Sequence, residues 1–389
     1  MNYWQKRNAL DLIMQEKKEL QFEKELLKVY QEAKASIEEQ LKVFYTLYAG
    51  DKKLTYAEAV KKLSADELNS FKKALTNYKR SLSNYSNRTT ESLMKSIERD
   101  LNKVNVTRLE AIQKQITYEI ENLKAYQEDR TTNLLRNGYE DNYYRTMFNT
   151  QQRVGYAASF TVLNKKAIDR AVNAKFDGAS FSDRIWLEKD KLVLNLNNVL
   201  AQSIARGSGL NGIISSIMKL TNATYYNASR LARSELNRVC GLANYDAYQE
   251  TEMVEEYEFV AVLDNRTSEI CADMDGKRFP KKEYVPGVNA PPMHPNCRST
   301  TVAVIGSNVG TRIAKDKEGK YIKISASTKY YDWAKDYCPE NYAKYVKDNI
   351  SDYYGGKESI DIQKQINSID KTHQSNMNKS KNNKIFNNF

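Results

Sequence analysis

The placement of proline constrains the fold of this chain more than any other feature of its sequence. All six prolines lie at or after Pro280, and five of them lie between Pro280 and Pro295. Because proline removes a backbone donor and clashes inside a helix, the residues before Pro280 can form long uninterrupted helices. The glycine positions also favour long helices, since Gly50 is the only glycine before Gly138. We therefore predict a long helical region followed by a segment of different architecture.

Apolar residues before residue 250 recur at the three- and four-residue spacings of amphipathic helices. Two capping boxes, Thr55-x-x-Glu58 and Ser64-x-x-Glu67, predict helix starts within this region, because each pairs a side-chain acceptor with a free backbone donor. The helices predicted in this way run through residues 13–48, 68–78, 93–126, 143–174, 182–205, 213–220 and 224–250.

The sequence pattern changes after residue 250. Glu258–Leu263 and Ser299–Ile305 are short apolar and β-branched runs that predict strands, with a proline-rich loop between them. The last stretch, Lys371–Phe389, is rich in Asn, Ser and Lys and predicts disorder. The predicted fold class is mostly α: a long helical N-terminal region, a small α+β C-terminal module with a loop-rich Cys/His segment, and a disordered tail.

The charge of the chain predicts an anionic partner. The formal net charge is +11 and the pI is about 9.1, which favours contact with DNA or with an acidic protein surface. Residues 51–100 carry 11 basic and 7 acidic side chains. No stretch approaches the roughly 18 apolar residues that cross a bilayer, and the N-terminus does not have the pattern of a signal peptide. We therefore expect no membrane contact and a chain made and used in a cytosol, or packed into a particle assembled there.

Three soft metal ligands lie in the proline-rich segment: Cys271 and the pair His294-x-x-Cys297. A structural zinc site usually has four Cys or His ligands in pairs with two-residue gaps, and Met274 stands where Cys271 would have its partner. Two carboxylates could complete the tetrahedron, Asp273 and Asp275. The alternative is a compact loop in which the histidine bonds to backbone and both thiols are buried. Four cysteines in a long cytosolic chain do not predict a disulfide framework.

Two enzymatic interpretations have less support. Cys271 or Cys297 could act as a nucleophile with His294 as its base, but no orienting or oxyanion group is evident. Gly207-Ser-Gly-Leu-Asn-Gly212 matches the dinucleotide-binding glycine pattern, yet a predicted helix rather than a strand precedes it. We therefore predict a helix-loop-helix turn there, no nucleotide site and no enzymatic activity.

A charged segment lies on the helix before the predicted strands. Arg233 and Glu235 are two residues apart and cannot share a face, whereas Glu235 and Arg238 can. One interpretation is a solvated helix face. The other, which we favour, is that Glu235 or an arginine packs against the turn Asp264–Arg266 and braces the smaller module.

These motifs follow one another between Arg233 and Arg298. The order is Arg-x-Glu-x-x-Arg, a strand ending in Asp-x-Arg-Thr, a cysteine, Asp-Gly, and Pro-Pro-x-His-Pro-x-Cys-Arg. It resembles the C-terminal signature of the Mu F-like phage head morphogenesis family, and the resemblance covers Ser182 to about Ile305. The signature set that this resemblance implies, structural rather than catalytic, is Arg233, Glu235, Asp264, Arg266, Cys271, Asp275, Gly276, Pro292, His294, Pro295, Cys297 and Arg298.

The resemblance implies a minor capsid component of low copy number that acts in prohead assembly. Its expected partners are the portal protein, scaffold or major capsid protein, and packaged DNA without sequence preference. It would occupy the capsid interior near the portal, and the host cytoplasm during assembly. We expect a helical N-terminal region at 1–180, a Mu F-like domain at 181–310, an extension at 311–350 and a flexible tail at 351–389.

Two departures from the family pattern concern the cysteines. Family members often carry Cys-x-x-Cys where this chain has Cys271-x-x-Met274, and Cys-Arg-Cys where it has Cys297-Arg298-Ser299. If the family site binds zinc, this chain has lost two of its thiolates and keeps only the fold. No cofactor is expected, and a structural zinc at Cys271, His294 and Cys297 is the alternative. The alternative functions are a basic DNA-binding protein outside the virion, and a Cys/His hydrolase or toxin-like effector that carries the head module.

Overall fold

The structure is a computed structural model of a mostly helical chain. Its nine helices among the described residues are α1 (Tyr3–Tyr48), α2 (Tyr56–Ala59), α3 (Ala65–Leu82), α4 (Arg88–Leu101), α5 (Arg108–Val154), α6 (Lys165–Asn173), α7 (Phe181–Ala205), α8 (Leu210–Gln249) and α9 (Glu269–Met274). Its strands are β1 (Glu256–Val260), β2 (Arg278–Pro280), β3 (Thr300–Val304), β4 (Thr311–Lys315) and β5 (Tyr321–Ser325). The described residues are 3–49, 53–85, 88–154, 163, 165–261, 268–305, 311–315 and 321–325. The predicted fold class is confirmed, while the predicted tail lies outside these residues.

Side-chain caps determine where several helices begin. Ser64 and Glu67 form the predicted capping box at the start of α3, and Ser180 forms a second box with Asp183 at the start of α7. Thr55 accepts a bond from the Glu58 backbone, but α2 is only one turn long. These caps satisfy backbone donors that have no partner within the helix.

The predicted helix through 93–126 is wrong, because two helices cover that range. Residues after Leu101 leave the helix, and the Arg108 amide donates to the Lys61 carbonyl at 2.9 Å. Thr107 and Glu110 then cap α5 reciprocally, with N–O distances of 2.8 and 3.2 Å. This capping box is visible in the sequence, since Thr and Glu have the required spacing.

Other predicted helix boundaries also differ from the structure. α5 continues through residues 127–142, where no helix was predicted, and the predicted helix at 143–174 is divided between α5 and α6. The two helices predicted at 213–220 and 224–250 are one helix, α8. Thr221 and Thr224 bond back to carbonyls four residues earlier, so that their side chains do not interrupt it.

The chain divides into two compact units. The first combines the residues before Phe22 with Leu134–Ala174 and the described residues from Arg230 onward; the second combines Phe22–Asn133 with Lys175–Ser229. No helix among the residues that the structure describes is long and apolar enough to cross a membrane.

The second unit is helical, and its core contains a buried cation. One of its apolar clusters joins α3, α4 and α5 around Leu75 and Ile97, both fully buried. The Lys124 side chain is also fully buried, and its ammonium donates to Glu188 and Tyr30, each at 2.8 Å. A buried ammonium is tolerated when a carboxylate and further acceptors surround it.

The first unit contains a three-stranded antiparallel sheet in the order β2-β1-β3. The two predicted strands are confirmed, with β1 at Glu256–Val260 and β3 at Thr300–Val304, while β2 and the β4–β5 hairpin were not predicted. β1 pairs with β3 from Glu256–Val304 to Val260–Thr300. Tyr257 and Phe259, two positions apart on β1, are both fully buried, so their side chains lie on the face of the sheet that packs against the core.

Candidate functional site

A polar stripe on α8 holds the β3 segment and the proline-rich loop. Its members recur every three or four residues and so lie on one face of the helix. The Asn237 amide donates to the Ser299 carbonyl at 2.9 Å, and the Tyr248 hydroxyl lies 3.2 Å from that of Thr301. The full stripe is Ser234, Asn237, Gly241, Asn244 and Tyr248.

Gly241 lets the proline-rich loop approach α8 closely. The Tyr284 hydroxyl donates to the Gly241 carbonyl at 2.9 Å. A β-carbon added at Gly241 would lie 2.9 Å from that hydroxyl and 3.2 Å from the Pro291 carbonyl oxygen. A side chain at this position would therefore displace the loop that carries His294 and Cys297.

The structure brings the three predicted soft ligands together. Cys271 comes from α9, while His294 and Cys297 come from the loop that precedes β3. The Cys271 Sγ lies 3.3 Å from the His294 Nε2 and 3.7 Å from the Cys297 Sγ, and all three ligand atoms lie within 4.8 Å of one another. Of the two carboxylates that could complete a site, Asp273 and Asp275, both side chains are exposed and neither belongs to this cluster.

Hydrogen bonds orient the imidazole of His294 and the start of α9. The His294 Nδ1 lies 2.9 Å from the Pro295 carbonyl oxygen, which leaves Nε2 directed at Cys271. The Ser268 hydroxyl lies 2.8 Å from Nε2 and accepts the Cys271 amide at 3.3 Å. Ser268 thus caps the N-terminus of α9 and also contacts the cluster. This role was not predicted from the sequence, although a serine directly before the first residue of a helix is a capping signal.

The two thiols of the cluster differ in acidity. A hydrogen bond from the Cys297 thiol, together with bonds from Ser268, Ser299 and His294, outweighs burial and lowers the pKa of Cys271. The same thiol–thiol contact and burial raise the pKa of Cys297. When one of the two thiols loses its proton, the negative charge is therefore favoured on Cys271. Ionisation of the Cys297 thiol as well is opposed by burial and by the charge already present.

Asp275 and Gly276 shape the turn that follows α9. The Asp275 carboxylate accepts the Ala261 amide at 2.8 Å, and the Gly276 amide donates to the Phe259 carbonyl at 2.8 Å. Gly276 has φ of 75°, a left-handed conformation that favours glycine. Both residues thus tie the helix bearing Cys271 to β1.

Glu235 and Arg238 form a buried ion pair rather than a solvated helix face. Their Nε–Oε2 distance is 2.7 Å, and each side chain is 3% exposed. The Arg238 guanidinium also donates to the Ala171 and Val172 carbonyls, each at 3.1 Å. Because these are last-turn carbonyls of α6, Arg238 caps that helix. The turn that we predicted Glu235 to contact, Asp264–Arg266, lies outside the described residues.

Arg233, Pro292, Pro295 and Arg298 are the remaining signature residues that the structure describes. The Arg233 side chain lies 3.5 Å from the Glu19 carboxylate and 3.4 Å from the Asn296 amide oxygen. Pro292 is buried, Pro295 is exposed and Arg298 is half-buried. The segment Gly207–Gly212 forms the predicted helix-loop-helix connection, in which the loop ends at Gly209 and Gly212 lies in the first turn of α8.

The sequence is similar to a known family and to two named proteins. Residues 195–302 match the family described as Phage Mu protein F like protein, which confirms the resemblance over this segment. Minor head protein GP7 of Bacillus phage SPP1 is 24% identical over 216 residues, covering 52% of this chain and 70% of that protein. The NAD(+)--arginine ADP-ribosyltransferase EFV of Enterococcus faecalis (strain ATCC 700802 / V583) is 27% identical over 237 residues, covering 57% of this chain. The chain spans 48% of that transferase's length. No solved structure matches the chain significantly.

Proposed function

We propose that this chain, which carries a domain of the Mu F-like phage head family, is a minor head protein that acts in prohead assembly at the portal. The observation that carries the proposal is the coincidence of the family match with α8, the small sheet and the Cys/His loop. Within this segment, the described signature residues Glu235, Cys271, Asp275, His294 and Cys297 make internal contacts that hold the fold together. A rigid module of this kind suits assembly through protein–protein contact.

An exposed apolar pair on α7 supports docking to another protein. Leu187 and Leu194 are 55% and 61% exposed, and their seven-residue spacing places them on one helix face. Aliphatic side chains exposed in this way lose water contact when a partner covers them. We propose that this face contacts the portal protein.

Particle composition tests the assembly role. We expect quantitative mass spectrometry to find a few copies per particle in both DNA-free proheads and mature virions. Leu194→Glu should reduce incorporation into proheads, whereas Val104→Glu should not, although Val104 is 70% exposed. Absence of the protein from both particles would refute the assembly role, and equal incorporation of the two variants would refute the α7 contact alone.

We further propose loose contact with packaged DNA through α3. The basic stretch at 51–100 is partly neutralised, because Lys61, Lys79 and Lys95 each pair with a glutamate. Lys73 and Arg80 are exposed and seven residues apart, so they lie on one face of α3 and can reach phosphates.

Salt dependence tests the DNA contact. When a protein binds DNA phosphates, the logarithm of the association constant falls linearly with the logarithm of the salt concentration. The slope is about −0.9 for each phosphate that the protein neutralises. Lys73→Gln/Arg80→Gln should therefore lower the slope by about 2, whereas Lys95→Gln should change it little because Glu91 already neutralises that lysine. Fluorescence anisotropy with duplex DNA measures the slope, and salt-independent binding would contradict the mechanism.

A second candidate function, arginine ADP-ribosylation, rests on the similarity to the enterococcal transferase. Incubation of the purified chain with labelled NAD and an arginine-rich acceptor protein tests it directly. Label transfer together with absence from particles would favour this candidate. Particle incorporation without transfer would favour the head protein.

A further inference from the structure

We propose that Cys271, His294 and Cys297 bind one zinc ion that joins α9 to the loop before β3. The three ligand atoms come from two separate segments and converge within 4.8 Å. Thiolates and imidazole are the ligands that zinc prefers in proteins. Such a metal would connect residues 26 positions apart and hold the Cys/His loop in place.

The distances within the cluster fit a tetrahedral metal centre. With Zn–S bonds of about 2.3 Å and a Zn–N bond of about 2.0–2.1 Å, a tetrahedron has S–S edges of about 3.8 Å and S–N edges of about 3.5–3.6 Å. The corresponding distances are 3.7 Å between the Cys271 and Cys297 sulfurs and 3.3 Å between the Cys271 Sγ and the His294 Nε2. These two distances match the tetrahedral edges, while the third pair, the Cys297 Sγ and the His294 Nε2, lies within 4.8 Å and would have to close toward about 3.5 Å when zinc binds.

The imidazole of His294 has the orientation of a metal ligand. Its Nδ1 faces the Pro295 carbonyl oxygen at 2.9 Å, so the proton belongs on Nδ1 and the lone pair on Nε2. Histidine ligands commonly donate their second ring N–H to a backbone carbonyl in this way, which fixes both tautomer and ring orientation. The lone pair then faces the Cys271 Sγ at 3.3 Å and the Ser268 hydroxyl at 2.8 Å.

The surroundings of the cluster favour a neutral centre over two isolated thiolates. Cys271 and Cys297 are 2% and 1% exposed and pack with Phe259, Ala261 and Met274. Two thiolates in this apolar shell would be strongly disfavoured, but a divalent cation would neutralise both. The Ser268 hydroxyl lies 2.8 Å from the His294 Nε2 and would be a polar neighbour of the bound metal.

Metal analysis of the full chain tests the proposal. We expect about one zinc per chain after purification without chelator, and loss of at least nine-tenths of it in Cys271→Ser and in Cys297→Ser. Cys240→Ala is the matched control, because Cys240 is also buried but lies outside the cluster, and it should retain the zinc. Cobalt substitution should give thiolate-to-cobalt charge-transfer absorption in the wild type and in the control only.

A chelator experiment on the wild-type chain covers the case in which a serine variant does not fold. Zinc released to a colorimetric chelator should equal the amount bound, and both thiols should then become reactive. A chain without zinc after refolding in zinc buffer would overturn the proposal, as would equal zinc content in the control and the serine variants. A Cys271–Cys297 disulfide in the freshly isolated, metal-free protein would also overturn it, and would assign the pair a redox role instead.

Discussion

Replacement of Arg238 by methionine should strongly destabilise the first unit. The change removes the guanidinium that pairs with Glu235 at 2.7 Å and leaves that carboxylate in a site where both side chains are 3% exposed. Removing one partner of a buried ion pair costs about 3–5 kcal/mol. Because the Ala171 and Val172 carbonyls also lose their donors, we expect a value toward the upper end.

Replacement of Glu235 by glutamine should cost less than replacement of Arg238. The amide oxygen can still accept from the Arg238 Nε, and the guanidinium keeps the two α6 carbonyls as acceptors. We expect a loss of about 1.5–3 kcal/mol, the range for a hydrogen bond to a charged group. The double variant Glu235→Leu/Arg238→Met should cost less than the sum of the single changes, since no buried charge is left unpaired.

Urea unfolding followed by circular dichroism measures these differences in the free energy of unfolding. Lys95→Met is the matched control, because Lys95 also pairs with a glutamate at 2.7 Å but the two side chains are 69% and 76% exposed. Exposed pairs of this kind contribute about 0.2–1 kcal/mol. A loss below about 1 kcal/mol in Arg238→Met would refute the role assigned to the buried pair, as would a larger loss in Glu235→Gln.

Two further predictions concern the acid stability of the first unit and the turn after α9. Burial alone would raise the pKa of Asp141, but hydrogen bonds and charges from Lys18 and Arg145 lower the pKa overall. The ionised carboxylate therefore stabilises the fold above its unfolded-state pKa, and this stabilisation is lost as the pH falls through the pKa of the folded state. Asp141→Asn should therefore lower the melting temperature at pH 7 and flatten its decrease below about pH 5; an unchanged acid limb would contradict this. Gly276→Ala should cost about 1–2 kcal/mol because φ is 75°, whereas Gly212→Ala, inside α8 with open space around it, should not destabilise; equal unfolding midpoints would contradict the strain.

The helical part of the fold could be predicted wherever local signals agree. The box at Ser64 and Glu67 identifies the start of α3, because cap and apolar spacing point to the same residue. The continuity of α5 could not be predicted in this way. Gly138 lowers helix propensity, yet a β-carbon there would overlap a Leu236 methyl group, so close packing against α8 favours glycine.

The candidate site could be predicted only in part. The spacing of His294 and Cys297 places them in one turn, where the Cys297 amide donates to the His294 carbonyl at 3.1 Å. Their contact with Cys271 depends on β1 and the turn after α9, which position that helix against the loop. The short strand β2 has no periodic signal in three residues, and it forms because β1 offers a free edge.

The surroundings of Cys271 and His294 suit a structural role better than a hydrolase site. A nucleophilic cysteine must reach its substrate, but Cys271 is 2% exposed, and the second ring nitrogen of His294 faces a backbone carbonyl rather than a carboxylate. Asp275 accepts a backbone amide, and Arg238 caps α6 from within a buried pair. Since these polar groups are used to hold the module together, changes at them should alter stability first and particle assembly as a consequence. Changes on the α7 face should instead alter assembly while the unfolding midpoint stays constant.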